Sequence, residues 1–327
     1  QPGIVEPNQT TTVSMELEGI GTGVPDSDSA KVFTSIDGAP FEEGTLTPTG
    51  GNSFEIELPA LECGQTLDYY VSADLNNGES FTDPSGAPGS TYSVSAFNVD
   101  LAIEDNLEDG TADWSVQSTN LATGEWEAVN PNATVDGTVL AAPEDDNTSD
   151  GTIAFVTGNA APGASVGAND VDGGPTRLFS PMIDLGGTDA EIEYARWVYV
   201  DDNESADFLE IAVSNDGGKT WQVVENAGRT QGSGGQTEWE QASFRVSDYV
   251  EPSANVQVRF SISDDPNNSI TEAGIDDFKV TEIGCEGGCE GDIDGSGTVD
   301  VADLLALLGD WGSCDDCSAD FDNSGVV

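Results

Sequence analysis

Ser53-Phe54-Glu55-Ile56-Glu57-Leu58-Pro59-Ala60-Leu61-Glu62-Cys63-Gly64-Gln65-Thr66-Leu67-Asp68-Tyr69-Tyr70-Val71 holds two alternating runs on either side of a Pro- and Gly-containing crossing. Side chains of a strand alternate between faces. Phe54, Ile56 and Leu58 therefore share one face, and Leu67, Tyr69 and Val71 share another inner face. The pattern predicts a small β-sandwich. Thr11-Thr12-Val13-Ser14-Met15-Glu16-Leu17 alternates in the same way. Further strands are expected over 31–36, 79–82 and 92–97. Turn signals lie between them at Asp37-Gly38, Gly50-Gly51-Asn52, Asn77-Gly78 and Pro84-Ser85-Gly86.

About seven strands within residues 1–98 fit an immunoglobulin-like or fibronectin type III-like sandwich. On that pattern 58–64 is the E–F crossing and 67–73 is strand F. Residues 99–284 read as a second β-domain. Its strands are expected over 152–157, 178–185, 190–200, 207–214, 221–224, 238–246, 256–262 and 275–283, which fits a jelly-roll sandwich. Asn106-Leu107-Glu108-Asp109-Gly110, with Trp114-Ser115-Val116, opens it, and Ala273-Gly274-Ile275-Asp276-Asp277-Phe278-Lys279-Val280 closes it. These ends resemble the first and last strands of jelly rolls related to MAM domains. The resemblance implies that the two strands lie side by side with a structural calcium between them, and that Glu108 and Asp276 are its candidate ligands. Asn169-Asp170-Val171-Asp172-Gly173-Gly174 is a second Asp/Gly turn, in which Asp170 and Asp172 are candidate calcium ligands.

Residues 285–327 form a third segment. Asp292-Ile293-Asp294-Gly295-Ser296-Gly297-Thr298-Val299-Asp300-Val301-Ala302-Asp303 places oxygens at loop positions one, three, five, nine and twelve, a Gly at six and a backbone carbonyl, that of Thr298, at seven. The apolar run Leu304-Leu305-Ala306-Leu307-Leu308 follows at once and predicts a short helix. The start of the loop recurs 28 residues later at Asp320-Phe321-Asp322-Asn323-Ser324-Gly325-Val326-Val327. Asp292, Asp294, Ser296, Thr298, Asp300, Asp303, Asp320, Asp322, Ser324 and Val326 are thus candidate calcium ligands. The tandem, with its EF-hand-like loops and one Leu-rich helix, resembles a dockerin, and the ending from Asp303 to Gly312 resembles the dockerin-type tails of secreted proteins of planctomycete-like bacteria. Positions nine and twelve of this second loop fall beyond Val327, so the expectation is that the chain continues, that it was processed here, or that another chain completes the site. Gln1 reads as a mature end or a cut between domains.

Composition narrows the function. The 62 Asp and Glu against 8 Lys and Arg give a net charge of −54. That surface repels nucleic acid and anionic membranes, and suits a calcium-rich or salty exterior. No apolar run approaches the roughly 18 residues that span a bilayer. The chain has no histidine, which excludes Ser-His-Asp and Cys-His catalysis and His-ligated zinc. Five cysteines point to an oxidising compartment. Cys63, in the expected E–F loop, and Cys285, after the last expected strand, are placed to meet and join the domains. Cys289 precedes the calcium loop while Cys314 or Cys317 follows its helix; a bridge such as Cys289–Cys314 would close that unit.

Ser214-Asn215-Asp216-Gly217-Gly218-Lys219-Thr220-Trp221 matches the Asp-box of sialidase-like propellers, yet it occurs once where a propeller repeats it. It reads as a hairpin in which Asp216 takes turn amides and Trp221 packs underneath. Trp197 and Trp239 lie in expected strands, either in the core or as a sugar-stacking platform. Together these features predict a secreted, non-catalytic, calcium-binding surface or accessory protein for adhesion or attachment. Its rivals are a subunit of an extracellular filament or layer, and a carbohydrate-binding accessory region of a secreted peptidase or hydrolase. Partners expected are a second copy or a docking protein through the calcium tail, and carbohydrate.

Overall fold

The computed structural model describes residues 3–19, 23–201, 207–232, 236–267, 269–285, 301–309 and 311. The protein is almost entirely β and divides into two compact units. One takes in Gln1–Val99 with Gly284–Gly287; the other takes in Asp100–Ile283 with Gly288–Val327.

The first unit contains β1 (Ile4–Val5), β2 (Thr11–Glu16), β3 (Pro25–Ile36), β4 (Glu42–Glu43), β5 (Thr45–Gly50), β6 (Ser53–Leu58), β7 (Thr66–Leu75), β8 (Ser80–Asp83) and β9 (Tyr92–Ala96). One sheet runs β2-β6-β5; the other runs β1-β9-β7-β3-β4, with β8 added to β7. The chain crosses between sheets from β6 to β7, as the alternation at 53–71 predicts. In immunoglobulin terms β2, β6 and β5 occupy the B, E and D places, and β3, β7 and β9 the C, F and G places. Ile56 and Leu58 of one sheet pack with Val32, Leu67, Tyr69 and Val94 of the other, all under 4% exposed. β1 pairs parallel with β9 and covers that edge.

The second unit contains β10 (Asn98–Asp105), β11 (Ser115–Ser118), β12 (Leu121–Thr123), β13 (Trp126–Val129), β14 (Thr134–Asp136), β15 (Val139–Ala142), β16 (Ala154–Thr157), β17 (Asp172–Phe179), β18 (Asp189–Val200), β19 (Leu209–Ser214), β20 (Gln222–Ala227), β21 (Glu240–Arg245), β22 (Gln257–Asp264) and β23 (Thr271–Gly284). One sheet is ordered β13-β16-β23-β18-β21, with β10 also on β23. The other is ordered β11-β17-β22-β19-β20, with β12 on β17. Apolar residues of both sheets share one core, among them Ile192, Tyr194, Ile275 and Phe278 from the first and Leu178, Ile211, Val258 and Phe260 from the second. This is a two-sheet sandwich.

One expectation needs correction. The strand expected over 178–185 instead ends at Phe179 and begins at Asp172, so Asp172 sits in a ladder rather than in a turn. Pro181 has no amide to donate, and only an isolated bridge from Ile183 to Val256 follows it. Of the two places open to Trp197, core or platform, it takes the core. It is 1% exposed, and Trp239 meets it edge-on at 85° while donating its indole N–H to the Asp145 carbonyl.

Helix α1 (Val301–Gly309) follows, and its Leu304, Leu305 and Leu308 are each more than half exposed. Cys63 and Cys285 are joined by a disulfide with their Cα atoms 5.4 Å apart. Gly274 stands opposite Trp197 in the β18–β23 ladder, and a Cβ there would run into the indole. Gly274→Ala is therefore expected to overpack the site and cost about 1–3 kcal/mol. Urea unfolding checks this, with a lower midpoint at unchanged slope as the expected outcome.

Candidate functional site

The candidate site arises from how β23 is paired. β18 takes the whole of one edge, from Asp189 opposite Ile283 to Val200 opposite Thr271. β16 and β10 must therefore share the other edge, and β16 uses Gly274 and Ile275. Asp276 and Asp277 come next. Here the ladder slips by one residue, between the pairs Ala195–Asp276 and Glu193–Lys279. Asp277 adopts φ +47°. A bulge with a left-handed residue re-aims side chains, and such bulges gather near functional sites.

Asp276 is fully buried. Its Oδ2 accepts the Asn147 amide at 2.8 Å and its Oδ1 accepts the Asp277 amide at 2.8 Å. Asp277 accepts from the Asn147 side-chain amide at 2.5 Å and the Thr148 hydroxyl at 2.7 Å. Burial, with the neighbouring charges of Asp277 and Asp146, pushes the Asp276 carboxyl up to about 7.

Glu108 approaches from the end of β10. Asp105 fixes the turn by accepting the Leu107 amide at 2.9 Å and the Trp114 indole N–H at 2.8 Å. Leu107 is buried at φ +66°, strained for a non-glycine residue. Glu108 Oε1 accepts the amides of Thr152 at 2.7 Å and Ile153 at 2.6 Å, which hold its carboxyl below the ordinary range.

Asp146 links the two and went unnoticed in the sequence. Burial, then the Glu108 and Asp277 charges, push its carboxyl up, and its own charge acts on Asp276. Its Oδ2 is buried with no hydrogen-bond partner. A Cβ on Gly151 would fall against that Oδ2 and come within 2.9 Å of Glu108 Oε1. The fold thus collects carboxylates from 108, 146, 276 and 277, the hard-oxygen donors that calcium takes. As the side chains stand, no three acidic, imidazole or thiol groups among the described residues are close enough to hold a metal.

Asp170 and Asp172 lie elsewhere. Asp172 accepts from the Thr123 hydroxyl at 3.0 Å. Asp170 is 6% exposed, and burial, with Asp172 and Asp264, pushes it up to about 6. Glu272, also unnoticed in the sequence, is 4% exposed; its Oε2 accepts from Thr134 at 3.0 Å and its Oε1 is buried without a partner. Burial, ahead of the charge on Asp170, pushes its carboxyl up to about 7. Asp292, Asp294, Ser296, Thr298, Asp300, Asp320, Asp322, Ser324, Val326, Cys289, Cys314 and Cys317 lie outside the described residues, and Asp303 falls within α1. At the 214–221 hairpin, Asp216 accepts the Lys219 and Thr220 amides at 3.0 and 2.9 Å and the Thr220 hydroxyl at 2.7 Å. Trp221 donates its indole N–H to Gly218.

No family model and no curated protein matches the sequence. Among solved structures the chain is similar to the K1 cleaved adhesin domain of Lys-gingipain from Porphyromonas gingivalis W83, at 14% identity and TM-score 0.34, over 58% of this chain and 99% of that one. It is also similar to carbohydrate-binding modules of the β-sandwich superfamily, at 12% identity and TM-score 0.34, over 84% and 93% of the two chains. A third is the CBM22-1 xylan-binding domain from Paenibacillus barcinonensis Xyn10C, at 12% identity and TM-score 0.29, over 58% and 99%. Likeness at these scores assigns the chain neither a family nor a ligand.

Glu272 yields a pH prediction. Its folded-state value lies above its ordinary one, so the native state binds the proton more tightly than the unfolded chain. Its stabilising effect is present below about pH 4.5 and is lost as the pH rises through about 7. In chelator, thermal melts are expected to fall in midpoint between about pH 5 and 8, and Glu272→Gln, which keeps the Thr134 contact, is expected to flatten that fall.

Proposed function

We propose that this chain is a non-catalytic, extracellular attachment or accessory protein whose second sandwich and tail are stabilised by calcium. The observation that carries the reading is the gathering of Glu108, Asp146, Asp276 and Asp277, with Asp276 fully buried and Asp146 holding an unpartnered buried oxygen. Like charges brought together in a low-dielectric setting destabilise the fold unless they are protonated or neutralised. A calcium ion would neutralise them, and movement of Asp146 and Glu108 toward it would complete the shell. The ion binds the folded state alone and so stabilises by mass action. The loops at 292–303 and 320–327 would hold further calcium through Asp292, Asp294, Asp300, Asp303, Asp320 and Asp322. Their expected uses are docking to a partner or to a second copy. An extracellular setting agrees with the Cys63–Cys285 disulfide.

Calorimetry in calcium and in chelator tests the reading at about pH 8, where Asp276 is ionised. Calcium is expected to raise the melting temperature by several degrees, and Asp276→Asn to lose most of that gain. Equal melts in both buffers contradict the reading. Isothermal titration separates the tail, because Asp292→Asn with Asp294→Asn is expected to remove one binding event and leave the Asp276 event in place.

A further inference from the structure

Bases are scarce in this chain, 8 against 62 acids, and most of them hold a carboxylate. Lys31 pairs with Glu43, Arg196 with Glu225 and Glu240, Arg245 with Asp189, Arg259 with Glu210 and Lys279 with Glu193. Arg229 lies over the Tyr199 ring and has further partners. Arg177 and Lys219 alone make no ion pair and no side-chain hydrogen bond among the described residues. With about eight acids for every base, two cations left unpaired call for a physical reason.

Arg177 stands on the outer face of the β11-β17-β22-β19-β20 sheet, and Lys219 stands in the hairpin that joins β19 to β20 of that sheet. Leu178 and Phe260 are fully buried and point inward, so their neighbours Arg177, Phe179, Arg259 and Ser261 point outward. The register sets Gln117, Arg177, Ser261 and Glu210 in one row across the strands. Ser115, Phe179 and Arg259 form the next row. Phe179 and Trp221 are both half-buried, with ring centroids 5.8 Å apart at 51°. The Arg259 guanidinium lies 4.6 Å from the Trp221 ring centroid and donates to Glu210 at 2.6 Å, so Arg259 props the aromatic pair and is itself engaged. Lys219 is exposed in the hairpin that carries Trp221, and Asp216 pins that hairpin. The face therefore offers apolar ring surface, hydrogen-bonding side chains and two uncommitted cations within a strongly acidic molecule.

We propose that this face binds an acidic polysaccharide, a sugar chain bearing carboxylate or sulfate groups. Arg177 and Lys219 take the anionic groups, Phe179 and Trp221 meet the apolar faces of sugar rings, and Gln117 and Ser261 hydrogen-bond hydroxyls. A planar guanidinium suits both carboxylate and sulfate through paired N–H donors. Two isolated cations are too few for nucleic acid, whose recognition rests on clustered Lys and Arg along a stripe. The remaining acids repel a polyanion at long range, but that repulsion is screened beyond about 8 Å at physiological salt and about 3 Å at 1 M. Binding is thus carried by direct contacts. The inference rests on the attachment role proposed above but not on calcium.

Isothermal titration of the full chain at about 0.5 M salt, where screening is strong, tests it. The ligands are an oligogalacturonate, a sulfated galactan oligosaccharide, a neutral galactan oligosaccharide of equal length and a single-stranded oligonucleotide. One acidic series is expected to bind and the neutral chain to bind much more weakly. Whichever series binds identifies the anionic group as carboxylate or sulfate. Arg177→Gln is expected to weaken binding about tenfold or more at unchanged melting temperature, and Lys219→Gln, at an exposed hairpin position, to weaken it less. Absence of binding to both acidic series, equal binding of the neutral chain, preference for the oligonucleotide, or full affinity in both variants each overturns the proposal. Calcium-dependent melting is read separately. A calcium effect with no glycan binding sinks this inference alone, and glycan binding with no calcium effect sinks only the calcium reading.

Discussion

A carboxylate enclosed in a β-sandwich must be protonated, hydrogen-bonded or neutralised by a cation, and Asp276 is enclosed where the second sandwich is closed. β23 holds its sheet together, paired along one edge by β18 and shared along the other by β16 and β10. β16 pairs at Gly274 and Ile275, and Asp276 and Asp277 follow where the ladder to β18 bulges. Side chains make further contacts there. Asn147 and Thr148 bond the two aspartates, and Glu108 takes the amides of Thr152 and Ile153. The segment running into β16 is thereby stitched to the end of β10 and to β23. These contacts bring acids together in a chain that already carries a net charge of −54. The unpartnered oxygen of Asp146 and the raised value of Asp276 have that common origin.

Much of the first sandwich was legible because its strands are long, alternate cleanly and bury one face. Phe54, Ile56 and Leu58 alternate with exposed glutamates, and Leu67, Tyr69 and Val71 follow across the crossing, all six under 8% exposed. The second sandwich was less legible. Strands of three or four residues at 115–142 are too short to display a period, and several pair only at sheet edges. β16 is buried along its whole length, so it shows an apolar run rather than an alternation. The end of β17 differs from the expectation because Ile183 and Leu185 extend the apolar run beyond Pro181, although they fall on the opposite parity to the buried Thr176 and Leu178. The choice between core and platform for Trp197 stayed open in the sequence because its environment depends on Gly274 across the ladder, a long-range pairing that no local window contains.

The candidate site was legible only in part. Glu108 and Asp276 were found through a resemblance at the two ends of the jelly roll, not through their charge, since any acid in this chain has 61 others for company. Asp146 lies in a loop and becomes a neighbour of Glu108 only once β10, β16 and β23 have met. Glu272 belongs to a strand whose residues from Thr271 through Asp276 are all buried, so its burial follows from the position of β23 in the sheet. Arg177 falls just before the strand expected over 178–185, and its lack of an acidic partner among the described residues emerges only when the other bases have been matched to theirs.

The most direct test of the calcium account is anomalous diffraction from crystals grown in calcium. The account predicts a peak among the oxygens of Glu108, Asp146 and Asp276, at about 2.3–2.6 Å from those that ligate it. A map with no peak there, with Asp276 still bonded only to the amides of Asn147 and Asp277, would contradict it.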